Sequence, residues 1–174
     1  MIYFTADWHL FHTNIIKYTN RPFNNIEEMN ETLIKNYNSV VKKSDTCYFL
    51  GDMAFGFKNY EIFRKLNGTK HLIKGNHDDR KVFSLTNIFE SISDIKEITI
   101  EKQPIVLCHY AMRVWSRKHY GSYMLYGHSH GTLERDLEYP NFDVGVDTKL
   151  SNYYPISFEQ IKTYVKENYE KIKY

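Results

Sequence analysis

Clusters of metal-ligating side chains recur at the ends of short β-rich runs, and no other feature constrains the chain as much. Runs with strand character cover 2–6, 46–50, 70–73, 97–101, 105–108, 122–126 and 142–146. Five of them end in such a cluster: Asp7-Trp8-His9, Gly51-Asp52, Gly75-Asn76-His77-Asp78, His109, and Gly127-His128-Ser129-His130. Ligand sites in open α/β sheets form at the carboxyl ends of strands, so clusters scattered along a sequence can converge in one crevice.

Between the first two runs, Met29, Leu33, Ile34, Tyr37, Val40 and Val41 recur at helical spacing. A shorter helix is expected over 59–66, stopped by Asn67-Gly68. Ser157 and Gln160 form a capping box that opens a last helix, with Phe158, Ile161, Tyr164 and Val165 as its apolar stripe. Strands alternating with helices, then strands in close succession, imply an α/β fold with a mixed sheet or two stacked sheets. No repeat or linker interrupts the 174 residues, which suit a single domain spanning 1–174.

The formal net charge of +2 is too small to draw nucleic acid or a membrane surface by electrostatics, so neither is an expected partner. The first apolar residues run straight into Asp7 and His9, unlike a signal peptide, and no stretch has membrane-spanning length. Cys47 and Cys108 sit inside apolar runs, which suits reduced thiols in a cytoplasmic protein.

Spacing within the clusters points the same way. Asp7 and His9 are two residues apart at a strand end, as are His128 and His130, and alternation would place each pair on one face. Gly51, Gly75 and Gly127 let the chain turn off each strand and bring backbone close to an ion or phosphate. Any one of these residues has a plain structural reading as a turn, cap or hydrogen-bonded histidine. Five clusters in succession do not reduce to turns.

The series Asp-x-His, Gly-Asp, Gly-Asn-His-Asp, His and Gly-His-x-His, running from Asp7 to His130, resembles the signature of calcineurin-like metallophosphoesterases. The resemblance implies a four-layered sandwich of two mixed β-sheets flanked by helices. It implies two divalent metal ions, one held by Asp7, His9, Asp52 and His130 and the other by Asp52, Asn76, His109 and His128, with Asp52 as the bridge. By the same resemblance His77 donates a proton to the leaving-group oxygen. Asp78, beside it, is a candidate to hold the His77 ring, or alternatively to cap a helix.

The chemistry suits these residue types. Two divalent ions about 3.5–4 Å apart can share a carboxylate and a hydroxide and clamp the oxygens of a phosphoryl group during in-line displacement. Carboxylate and amide oxygens mixed with imidazoles suit manganese, iron, zinc or similar ions. The expected activity is hydrolysis of a small organic phosphate ester, a phosphodiester or nucleotide. The alternatives are a scaffold that keeps the fold without turnover and a nucleic-acid-binding module.

Two departures narrow the class. Met53-Ala54-Phe55-Gly56 follows Asp52 where Ser/Thr protein phosphatases of the superfamily carry Asp-Arg-Gly, and the next motif ends in Asp78 where theirs ends in Glu. Two stretches look like small bacterial and phage members: Phe11-His12-Thr13-Asn14-Ile15-Ile16 with Arg21-Pro22-Phe23, and His109-Tyr110-Ala111-Met112 with Trp115. His12 and Asn14 are candidates to reach the substrate, the other reading being that Thr13 caps a short helix against which His12 packs. Arg113 and Trp115, in the basic and aromatic segment 113–120, are candidates for nucleotide binding, the guanidinium on phosphate and the ring under a base; the segment reads equally as a solvated surface loop.

Overall fold

The computed structural model describes residues 1–134 and 138–169. Its first sheet holds β1 (Ile2–Thr5), β2 (Thr46–Phe49), β3 (Thr69–Ile73), β4 (Ser91–Ser93) and β9 (Ile156–Ser157), in the order β4-β3-β2-β1-β9. The pairs from β1 to β4 are parallel and β9 lies antiparallel on β1. The second sheet holds β5 (Ile95–Ile100), β6 (Gln103–Cys108), β7 (Tyr123–Tyr126) and β8 (Asn141–Asp143) in that order. Here β5 and β6 are antiparallel and the rest parallel, so both sheets are mixed.

Alternation along the strands separates three apolar layers. Tyr3, Cys47, Phe49 and Leu72 face α2 (Ile26–Val40), which buries Met29, Leu33 and Tyr37 against them. This helix is the crossover that parallel β1 and β2 require. Its start is fixed by Asn25, whose side chain accepts from the Glu28 amide. The opposite face of that sheet, with Phe4, Ala6, Leu50 and Ile73, meets Ile105, Leu107, Tyr123 and Leu125 of the second sheet. Phe158, Ile161, Val165 and Tyr169 of α3 (Phe158–Tyr169) join this middle layer. The outward side chains of β6 and β7, Val106, Cys108, Met124 and Tyr126, are covered by Trp115 from the loop between those strands.

Most expected elements are present, with informative differences. The expected capping box forms: the Ser157 amide donates to the Gln160 side chain at 2.9 Å and the Gln160 amide donates to the Ser157 hydroxyl at 3.2 Å. Residues 170–174 of the expected terminal helix lie outside the described residues. The segment expected as a helix over 59–66 is a 3₁₀ helix, Phe57–Lys65. The strands β4 and β9 carry too few apolar residues to stand out in the sequence, and only pairing with β3 and β1 defines them. Cys47 and Cys108 are buried free thiols, and burial pushes Cys47 up from the usual thiol range. Among the described residues no helix is long and apolar enough to cross a membrane.

Candidate metal centre and active site

The carboxyl ends of β1, β2, β3, β6 and β7 point to one region, where the five clusters meet. Among the described residues, two groups each offer ligand atoms within 4.8 Å of one another: Asp7, His9 and His130 form one, and Asp52, His109 and His128 the other. Asp52 lies between them, its Oδ2 3.7 Å from Nε2 of His9 and 3.3 Å from Nε2 of His109. Asn76 joins the second group, with Oδ1 3.0 Å from His109 Nε2.

The convergence of Asp7 with His9 and of His128 with His130 does not come from strand alternation, which is a correction to the sequence reading. β1 ends at Thr5 and β7 at Tyr126. Beyond them, Asp7, His9, Asp52, His128 and His130 all have positive φ, between 48° and 69°. Left-handed backbone is unfavourable for residues with a side chain, and such residues gather at functional sites. Gly75 and Gly127 work through close approach, since a Cβ on Gly75 would sit 2.2 Å from Asp52 Oδ1 and one on Gly127 would sit 2.7 Å from Asp7 Oδ2.

Two of the rings, His109 and His130, are held by their far nitrogens. His109 Nδ1 donates to the Leu50 carbonyl at 2.7 Å, which leaves Nε2 facing Asn76 and Asp52. His130 Nδ1 donates to Asp147 at 2.7 Å. Asp147 in turn receives two bonds from the buried guanidinium of Arg21, from Nε at 2.8 Å and from an Nη at 2.7 Å. Arg21 also donates to the carbonyls of Asp7, at 2.6 Å, and Trp8, at 2.8 Å. One ion pair thus ties the backbone of Asp7 to the ring of His130, two members of the same cluster.

Asp78 does something other than hold His77. Its Oδ2 accepts from the amides of Asp52, at 2.9 Å, and Gly75, at 2.8 Å; its Oδ1 accepts from the Met53 amide at 2.9 Å and from the Tyr60 hydroxyl. It staples the loops after β2 and β3 together. The helix cap nearby is Asp79, whose side chain accepts from the Lys81 amide. His77 is exposed in the cleft, with its ring 5.3 Å from that of His9 and its amide donating to Asp52 Oδ1 at 2.8 Å.

The substrate candidates separate. His12 lines the cleft with His9, His77, His128 and His130, its ring stacked on Phe55 at 5.2 Å. Thr13 caps nothing: α1 (Ile15–Tyr18) begins after Asn14, which is exposed and makes no side-chain cap bond. Arg113 is exposed on the loop between β6 and β7. Trp115 is not free to stack on a base, because it is buried in the outer apolar layer and its indole N–H donates to the Ser122 carbonyl at 3.1 Å. An aromatic residue in a basic loop looks like a base platform in sequence, but sheet two needs that ring as its cover.

The electrostatics are those of a cation site. Asp7 is fully buried, and burial together with the charge of Asp143 pushes its carboxyl up to about 8. Burial lowers His9 to about 3, and its Nε2 is buried without a hydrogen-bond partner. Burial opposes charge on His109, yet the hydrogen bond and charge of Asp52 prevail and push it up to about 9. Burial likewise works to raise Asp52, but His109, the His77 amide and His9 outweigh it and hold that carboxyl below its ordinary value. Clustered carboxylates around an orphaned imidazole nitrogen lack a positive charge, and divalent ions fit that deficit.

Sequence reasoning missed Arg21 as a structural keystone, and it missed Asp143 and Asp147. Asp143 Oδ2 accepts from the Ser129 hydroxyl at 2.7 Å and the Gly131 amide at 2.9 Å, fixing the loop that bears His128 and His130. A signal was available in Asp143-Val144-Gly145-Val146-Asp147, a further acidic cluster at the end of an expected strand. Outer partners of ligating histidines commonly change metal affinity by about 10–100-fold. Asp147→Asn is therefore expected to weaken one of two metal equivalents by about that factor and leave the other near parent affinity, as read by chelator competition. Two equivalents at parent affinity would exclude a positioning role for Asp147.

Two mixed sheets with flanking helices carry paired carboxylate and histidine clusters at their strand ends. The chain belongs to the family of an uncharacterized protein, MJ1445, of Methanocaldococcus jannaschii, with which it is 34% identical over 167 residues, 92% of this chain and 88% of the relative. The solved structure of a protein of unknown function from Aquifex aeolicus, AQ665, matches with a TM-score of 0.73 at 26% identity, over 94% of this chain and 98% of that one. An archaeal phosphodiesterase shares the fold, with a TM-score of 0.53 at 18% identity over 83% of this chain and 81% of that one. No family model matches.

Proposed function

We propose that the protein is a metal-dependent phosphoric ester hydrolase, active as a single domain in the cytoplasm on a small organic phosphate ester, a phosphodiester or nucleotide. The observation that carries this reading is the position of Asp52 between two ligand clusters, within 3.7 Å of His9 and 3.3 Å of His109. Asp7, His9, Asp52 and His130 would hold one divalent ion, and Asp52, Asn76, His109 and His128 the other. When bound, such a pair supplies a nucleophile at neutral pH and stabilises charge on the phosphoryl oxygens.

The chain's own residues do the rest. The carbonyl of Leu50 sets which nitrogen His109 presents, and the carboxylate of Asp147 does the same for His130. Asp78 holds the Asp52 and Gly75 loops in register through their amides. His77, exposed beside His9, is placed to give a proton to the departing oxygen. His12 forms the wall of the cleft next to it. Arg113 and Asn14 are left as peripheral candidates.

A hydrolysis screen tests the reading. Metal-free protein is reconstituted separately with Mn²⁺, Fe²⁺, Zn²⁺ and Mg²⁺ and offered nucleoside monophosphates, cyclic nucleotides and diesters. Metal-dependent turnover of at least one ester is expected; no turnover under any condition would leave the scaffold alternative in place.

A further inference from the structure

Exposed aromatic side chains stand at both sides of the paired ligand clusters, and the rest of the fold does not need them. On the His12 side, Phe55 stacks on the His12 ring at 5.2 Å and 25°, and Tyr18 lies 6.1 Å from the same ring. On the opposite side, Tyr110 leans edge-on against His128 at 4.8 Å and against His109 at 5.1 Å. These three rings are 55%, 72% and 47% exposed respectively, so core packing does not account for their presence. The two ligand clusters lie between the two walls, because His12 and His77 flank His9 while Tyr110 flanks His109 and His128.

Size and charge narrow what fits. The cleft that runs from Tyr18 and His12 to His128 has a volume of about 720 Å³, within the range of roughly 300–1,000 Å³ typical of small-ligand sites. Among the described residues lining it there is no lysine or arginine, and its polar lining is neutral side chains such as Thr19, Asn20 and Ser129 together with the histidines. A diester carries one negative charge, and the phosphorus has a substituent on either side.

We propose that the substrate is a linear phosphodiester of the dinucleotide type, one base resting on the wall of Tyr18, His12 and Phe55 and the other on Tyr110. This rests on the phosphoesterase reading above and specifies its substrate. Aromatic rings accept any base, since every base has a π face, so the walls select for planar substituents on both sides and tolerate changes in sequence. Trp115, the ring that the sequence marks for this task, is replaced in it by Tyr110, five positions earlier and outside the core.

The test compares three substrates on metal-loaded protein: a 3′,5′-linked dinucleoside monophosphate, the methyl ester of a nucleoside monophosphate, and bis(nitrophenyl) phosphate. The dinucleotide is expected to show the higher kcat/KM of the two nucleotide diesters. Phe55→Ala and Tyr110→Ala are each expected to lower kcat/KM for it by about 5- to 100-fold, through KM. Binding of a phosphorothioate-linked dinucleotide, followed by calorimetry, gives a second readout and should weaken in both variants. Equal kcat/KM for dinucleotide and methyl ester, or variants that behave as the parent, would overturn the two base sites even if bis(nitrophenyl) phosphate is turned over. Failure to hydrolyse any ester, with dinucleotide binding still lost in the variants, would instead sink the catalytic reading and keep the base sites.

Discussion

Asp52→Asn is expected to lower hydrolysis by about 10³-fold or more and to weaken both metal equivalents together. A cation pair supplies several kcal/mol of charge stabilisation, and about 1.4 kcal/mol is a factor of ten in rate. The asparagine keeps the oxygen that accepts from the His77 amide at 2.8 Å, so the loop after β3 retains its anchor. At the other position an amide group replaces Oδ2, which now lies between Nε2 of His9 and Nε2 of His109. It has hydrogens where the carboxylate oxygen offers lone pairs to cations, and no negative charge. The fold should survive, because the apolar layers on either side of the first sheet do not include Asp52. Unfolding measured in chelator checks this, and elemental analysis counts the metal. Two equivalents in a fully active variant would remove Asp52 from between the ions.

The clusters themselves were readable because their chemistry is local: an Asp-x-His or a Gly-Asn-His-Asp is recognisable without knowing where it goes. The layers were readable for a similar reason, since strict alternation in Tyr3-Phe4 and Cys47-Tyr48-Phe49 already sorts side chains to two faces. What could not be read is how the clusters are held. Arg21 and Asp147 are 126 positions apart, and their ion pair exists only because the loop after β8 returns to the end of β1, where Ala6 bridges Gly145. Asp78 misled for a related reason. Adjacency to His77 suggested a partner in sequence, but at a tight turn neighbouring side chains diverge, and this one turns inward to collect amides from two loops. Trp115 shows the limit of composition: a ring among basic residues has the same letters whether it stacks on a base or roofs a sheet. The left-handed conformations of Asp7, His9 and His128 were not legible either, because aspartate and histidine adopt positive φ more often than most side chains but do not announce it as glycine does.

His77 offers the sharpest test of how the protein acts on protons, because it lies in the cleft outside both ligand clusters. A departing alkoxide is a strong base and needs a proton in the transition state, and a positioned histidine commonly contributes about 10²–10⁴-fold. A nitrophenolate leaves readily without one. His77→Ala is therefore expected to keep both metal equivalents and much of its activity toward a nitrophenyl ester, while losing about 10²-fold or more toward an alkyl ester. The Asp52 carboxylate should be undisturbed, since its link to this position is the His77 backbone amide, which alanine retains. The competing idea is that the ring only orients phosphate, packed as it is edge-on against His9 and alongside His12. An orienting ring would matter equally whatever the leaving group. Measuring kcat/KM for both esters in parent and variant, with metal content checked in each, separates the two ideas: equal losses would rule out proton donation, and a loss confined to the alkyl ester would assign it to His77.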